Sequence, residues 1–159
     1  MKKSIKMIIA AVVGVIIIAI VCLAIMQSGK KAITMEQFEE KAKENGYKIA
    51  DIQNDITKKE EIINAKLAIS EDYSYFISFY ILKDNDSASN FYKEQKEEFA
   101  KTKQEENEPI EKKSKSYEEY SLKSNGKYMY ISRIENTIVQ FNVNESEEQK
   151  VKEFLEKCF

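Results

Sequence analysis

The sequence predicts an α+β fold for residues 33–159: a mainly antiparallel sheet with helices packed on it, in the order α-βββ-α-βββ-α, preceded by one N-terminal transmembrane helix. Three observations lead there. Two segments carry paired helix-start signals, and several runs alternate apolar and polar residues with the period of a strand. The links between successive strands are all too short for the crossover that parallel pairing needs.

The first helix is announced by Thr34 and Gln37, which have capping-box spacing, and by Ile33 and Phe38, which occupy the two positions of a hydrophobic staple. Asn45-Gly46 closes it, because glycine adopts the left-handed conformation of a C-terminal cap. Residues 47–52 then read as a strand, and Ile63, Ala65, Leu67 and Ile69 alternate through a second. Glu71-Asp72 turns the chain into a third, 73–82, dense in aromatic and β-branched residues. Asp84-Asn85-Asp86-Ser87 opens a second helix, with Ala88, Phe91, Tyr92, Gln95 and Phe99 at helical spacing. The charged stretch 101–116, holding the single proline, Pro109, reads as a mobile surface loop.

Asn125-Gly126 is the strongest hairpin signal and joins strands at 117–122 and 128–134; Glu135-Asn136 leads into a last strand, 137–143. Ser146 and Gln149 repeat the capping-box spacing, and Val151, Phe154, Leu155 and Cys158 form one stripe on a closing helix. The two βββα units suggest an internal duplication.

Residues 7–26 contain no polar side chain, and 20 residues at about 1.5 Å each reach roughly 30 Å, the thickness of a bilayer's hydrocarbon core. Cys22 and Ala24, the best small-residue pair, lie inside this run, so an uncleaved anchor is expected in preference to a signal peptide. Lipidation at Cys22 is the alternative, although Val21 stands where a lipobox wants Gly, Ala or Ser. The division is a basic cytoplasmic tail at 1–6, the anchor at 7–26, a linker at 27–32 and an extracytoplasmic domain at 33–159. Lysines on both flanks make the charge rule nearly even; the short basic tail is the harder end to translocate. Of the 25 Lys and Arg, three precede the run, against 27 acidic residues that all follow it. That acidic balance argues against a nucleic-acid partner.

Chemistry-bearing patterns are scarce. With no histidine, neither a Ser-His-Asp arrangement nor a histidine-bearing zinc site exists, and two cysteines, one within the apolar run, make no metal cluster. Asp84-Asn85-Asp86 begins like an EF-hand loop, but Ser89 replaces the required glycine and Gln95 the closing glutamate; these acids suit a helix start. No phosphate loop appears among four glycines. The carboxylate pairs Glu60-Glu61, Glu118-Glu119 and Glu147-Glu148 leave a small carboxylate-dependent enzyme open, while a one-third charged chain explains them as solvated faces. The lone arginine, Arg133, suits either a bidentate anion or an ion pair at a strand. No cofactor and no metal are expected.

Thr34-Met-Glu-Gln-Phe-Glu-Glu-Lys-Ala-Lys-Glu-Asn-Gly-Tyr47, Asn125-Gly-Lys-Tyr-Met-Tyr130 and Val151-Lys-Glu-Phe-Leu-Glu-Lys157 resemble a group of membrane-tethered proteins of low-G+C Gram-positive bacteria. In layout the domain is similar to the helix-flanked antiparallel sheets of the PsbP/Mog1 type. Neither likeness brings an activity. The resulting expectation is a non-enzymatic domain tethered at the bacterial cytoplasmic membrane that binds a protein or other envelope component. A small envelope enzyme and a tethered self-protection protein are the alternatives. If Met129 and Ile131 face the helices, Tyr128 and Tyr130 point away from them, and with Phe76 and Tyr80 they form the candidate binding face.

Overall fold

The computed structural model describes residues 30–56, 60–104 and 106–159. Among these no helix is long and apolar enough to cross a membrane, and the apolar run 7–26 lies outside the described residues.

Ten residues of helix α1, Met35–Glu44, start where the capping signals coincide: Gln37 N–H donates to Thr34 Oγ1 at 3.2 Å and Thr34 N–H to Gln37 Oε1 at 2.9 Å. Gly46, at φ 82°, ends it. Strands β1 (Lys48–Asp51), β2 (Ile62–Ile69) and β3 (Phe76–Leu82) follow as a meander, and then helix α2 (Asn85–Ala100), capped by Asp84. The remaining strands are β4 (Ile110–Lys113), β5 (Tyr117–Ser124), β6 (Lys127–Ile134) and β7 (Thr137–Asn144). A short 3-10 turn, Glu145–Glu147, leads into helix α3, Glu148–Cys158.

The strands make one seven-stranded sheet in the order β1-β2-β3-β7-β6-β5-β4, and every pairing is antiparallel. Helices cover both faces. Phe38 of α1 and Val151, Phe154 and Leu155 of α3 pack with Ile77, Phe79, Tyr130 and Phe141 in one core. On the opposite face Ala88 and Tyr92 of α2 pack with Tyr80, Tyr120, Leu122, Met129, Ile131 and Ile138 in a second.

The predicted order α-βββ-α-βββ-α is therefore corrected to α-βββ-α-ββββ-α. The additional strand is β4, inside the stretch 101–116 that reads as a loop. All four of its residues are exposed, so no core selects an apolar alternation and the period-two signal is missing. Its partner β5 nonetheless holds it in full register, from Ile110 opposite Ser121 to Lys113 opposite Glu118. Strand β3 begins at Phe76, three residues later than predicted, because residues 70–75 form a hydrogen-bonded turn. Ser146 makes no cap, and α3 starts two residues beyond it. The duplication also fails on geometry. With β3 and β7 adjacent and antiparallel, a repeated βββα unit places both following helices on one face, whereas α2 and α3 lie on opposite faces.

Candidate functional site

The sheet is not covered everywhere. At its β1-β2-β3 end, on the face where α2 packs farther along, Ala50, Leu67 and Ile69 are only half-buried and Phe76 is 54% exposed. Registers place these side chains together: Ala50 is opposite Leu67, and Lys48, Ile69 and Phe76 lie abreast on three neighbouring strands. Neither core includes Leu67, Ile69 or Phe76.

The turn beside this strip leaves Tyr73 exposed. Its backbone sits at φ 59°, a left-handed conformation that costs a bulky residue about 1–2 kcal/mol, yet its side chain is 67% exposed. The conformation is imposed by neighbours. Asp72 accepts from Ser70 Oγ at 2.8 Å, Ser74 Oγ at 2.7 Å and Ser74 N–H at 3.1 Å, and Tyr73 N–H donates to the Ser70 carbonyl at 3.0 Å. The hydroxyls of Ser74 and Ser70, helped by the Ser74 amide, hold the Asp72 carboxyl down at about 2, so this turn keeps its charge in all but strong acid. Lys48 Nζ lies 4.0 Å from the Tyr73 ring centroid and donates to its hydroxyl at 2.7 Å, which ties the ring to the strip.

The four residues of the expected binding face part company. Phe76 is exposed as expected; Tyr80 is 9% exposed and packs on Phe91 of α2, the rings tilted and their centres 5.2 Å apart. Tyr128 and Tyr130, 4% exposed each, lie on the other face and pack on Phe141 at 5.7 and 5.0 Å. Met129 and Ile131 do face a helix, α2, but α3 covers the tyrosines in turn. Tyr73, which belongs to the exposed pair, was legible only as part of a strand.

Tyr128 and Tyr130 instead form the floor of a cleft of about 460 Å³ between α3 and the segment entering α1, with Lys30, Lys112 and Lys152 at its rim. Glu119 lies beneath them, 6% exposed, and accepts from Lys112 at 2.8 Å, from Tyr130 at 3.3 Å and from Tyr117. Burial acts to raise this carboxyl, but the Lys112 and Tyr117 donors outweigh it and hold it below its ordinary 4.5. Burial, reinforced by Glu119, pushes the Tyr130 phenol up. Neither group titrates near neutrality.

The adjacent acids Glu118 and Glu119 point to opposite faces and cannot act as one carboxylate pair. Glu118 is taken by Arg133, whose Nε donates at 2.7 Å while its Nη1 donates to the Glu135 carbonyl at 3.0 Å. Arg133 thus serves an internal ion pair. Among the described residues no group of three or more acidic or cysteine side chains is placed to hold a metal ion. Comparison with known proteins returned no matching family model, no matching curated protein and no matching solved structure.

Proposed function

We propose that this chain is a membrane-tethered recognition domain that binds a protein of the bacterial cell envelope through the open strip at Tyr73 and Phe76. The tether is the apolar run 7–26, whose length suits a bilayer. The observation that carries the reading is Tyr73: an aromatic ring held in a strained backbone conformation, with most of its surface in solvent, is met by the fold through Lys48, itself an exposed side chain. Backbone strain kept at a position whose side chain stays mostly in solvent points to a surface maintained for contact. Tyr73 sits on Lys48, and across the strip half-buried Ile69 and Leu67 lead to exposed Phe76, an apolar centre with a cationic edge. A partner that offers an apolar side chain next to a carboxylate fits this surface.

The test is crosslinking and recovery of the full-length protein from its own membranes, comparing wild type with Phe76→Ala. Recovery of a specific protein that drops at least tenfold in the variant, with thermal stability unchanged, supports the reading. Equal recovery with both proteins overturns it.

A further inference from the structure

The cleft under Lys30 lies where the tether enters the domain. Lys30 is the first described residue, and it is fixed: its ammonium is 3.7 Å from Glu119 and 4.9 Å from the centre of the Tyr117 ring. Met26, the end of the apolar run, is four residues away, a span of at most about 14 Å even when fully extended. The headgroup layer occupies roughly 5–7 Å of that distance, from the difference between total and hydrocarbon thickness. If residues 7–26 span the bilayer, Lys30 at the mouth of the cleft stays within about 9 Å of the headgroup layer whichever way the protein is oriented.

From this placement we infer that the cleft binds the headgroup of an anionic phospholipid in the leaflet from which the tether emerges; the inference rests on the tether proposed above and is independent of the Tyr73–Phe76 strip. The lining suits such a ligand. Lys30, Lys112 and Lys152 face it beside the carboxylates of Glu119 and Glu156, and Lys152 is also paired with Glu148 at 2.6 Å, so a headgroup phosphate would share these three ammonium groups with carboxylates already present. Glu119 is buried beneath its ammonium and hydroxyl partners, so an entering anion meets those ammonium groups before the Glu119 carboxylate. Lys152 is held 5.1 Å over the Tyr128 ring, and Leu155 and Phe159 supply an apolar wall for the glycerol backbone. A volume of about 460 Å³ accommodates a headgroup and leaves the acyl chains in the membrane.

The full-length protein, reconstituted in phosphatidylcholine vesicles with and without phosphatidylglycerol, is floated on a gradient and then treated briefly with an amine-acylating reagent. Modification of each lysine is read by mass spectrometry, with Lys93, exposed on α2 across the sheet, as the internal reference. The expected result is a several-fold loss of modification at Lys112 and Lys152 in phosphatidylglycerol vesicles, with Lys93 unchanged, and no protection when soluble glycerol phosphate is added to the neutral vesicles. Lys152→Gln should weaken the protection of Lys112. Protein that floats but is modified equally in both vesicles overturns the inference, as does an equal loss at Lys93. Protection by soluble glycerol phosphate shows a free-anion site and overturns the lipid assignment. Protein that fails to float overturns the tether itself, and the lipid site with it.

Discussion

Tyr128 and Tyr130 show how a residue can be placed correctly on a strand and wrongly in space. Their alternation with Met129 and Ile131 is real, and the two pairs do face opposite ways. What alternation cannot reveal is that both faces are covered by helices, since in a sheet buried twice the apolar and aromatic residues carry the same pattern on either side. Because each tyrosine is packed on Phe141, Tyr128→Ala and Tyr130→Ala should each cost about 3–5 kcal/mol in denaturant titrations, the usual loss for a large buried aromatic. A loss below about 1 kcal/mol in both would contradict the packing described. The polar interior is equally exacting. Burial alone would raise Glu118, but hydrogen bonds from Lys113 and Arg133 hold it below 4.5, so its contribution to stability is present above the unfolded glutamate range and disappears as pH falls through the lowered folded value. Glu118→Gln strands Arg133 without its counter-charge and should cost about 3–5 kcal/mol at neutral pH, and the variant's stability should fall less than that of wild type on acidification below 4.5. Parallel acid profiles for the two proteins would show that the pair contributes nothing.

Among the elements, those that bury a stripe were readable and those that do not were silent. Helix α1 was legible from four residues, Ile33, Thr34, Gln37 and Phe38, because capping and packing act together at its start. The β5-β6 hairpin was legible from Asn125-Gly126, both now seen at positive φ, 54° and 69°. Strand β4 escaped because an exposed edge strand is held by backbone hydrogen bonds, which the side chains of Ile110-Glu-Lys-Lys113 do not advertise. The start of β3 escaped because Tyr73 and Tyr75 look like strand residues, whereas the Ser70-Asp72-Ser74 network decides their conformation. Helix α3 tests the stripe reading chemically. Cys158 is buried with Val151 and Phe154, and burial pushes its thiol up to about 12. It should react with a maleimide only after denaturation, and fast labelling of the folded protein, or a disulfide-linked dimer lost in Cys158→Ser, would show that the end of α3 is open.

At the scale of the whole molecule, the helices leave bare the Tyr73–Phe76 strip and the cleft beside Lys30. They lie on opposite faces of the sheet, so a partner on the strip and a membrane at the cleft need not compete. Antiparallel pairing and three helices were legible in the sequence, but the order α-βββ-α-βββ-α was not, since the seventh strand, β4, is exposed; nor was this division legible, because it depends on which part of each face α1, α2 and α3 leave bare. The proposed tether has its own test: the protein should stay in the membrane fraction through a carbonate wash, and protease added to spheroplasts should remove the domain. Release by carbonate would contradict anchoring, and protection alongside cytoplasmic markers would reverse the orientation.

The recognition proposal is tested most directly by the ratio of partner recovery to stability in Tyr73→Asn. Asparagine tolerates the left-handed backbone, so the Ser70-Asp72-Ser74 turn should persist and thermal stability should equal or exceed that of wild type. Crosslinked partner should nevertheless fall at least tenfold, because the displayed ring is gone. Undiminished recovery with Tyr73→Asn, or a loss of stability that matches the loss of recovery, would contradict the proposal that this turn exists to present Tyr73 to another protein.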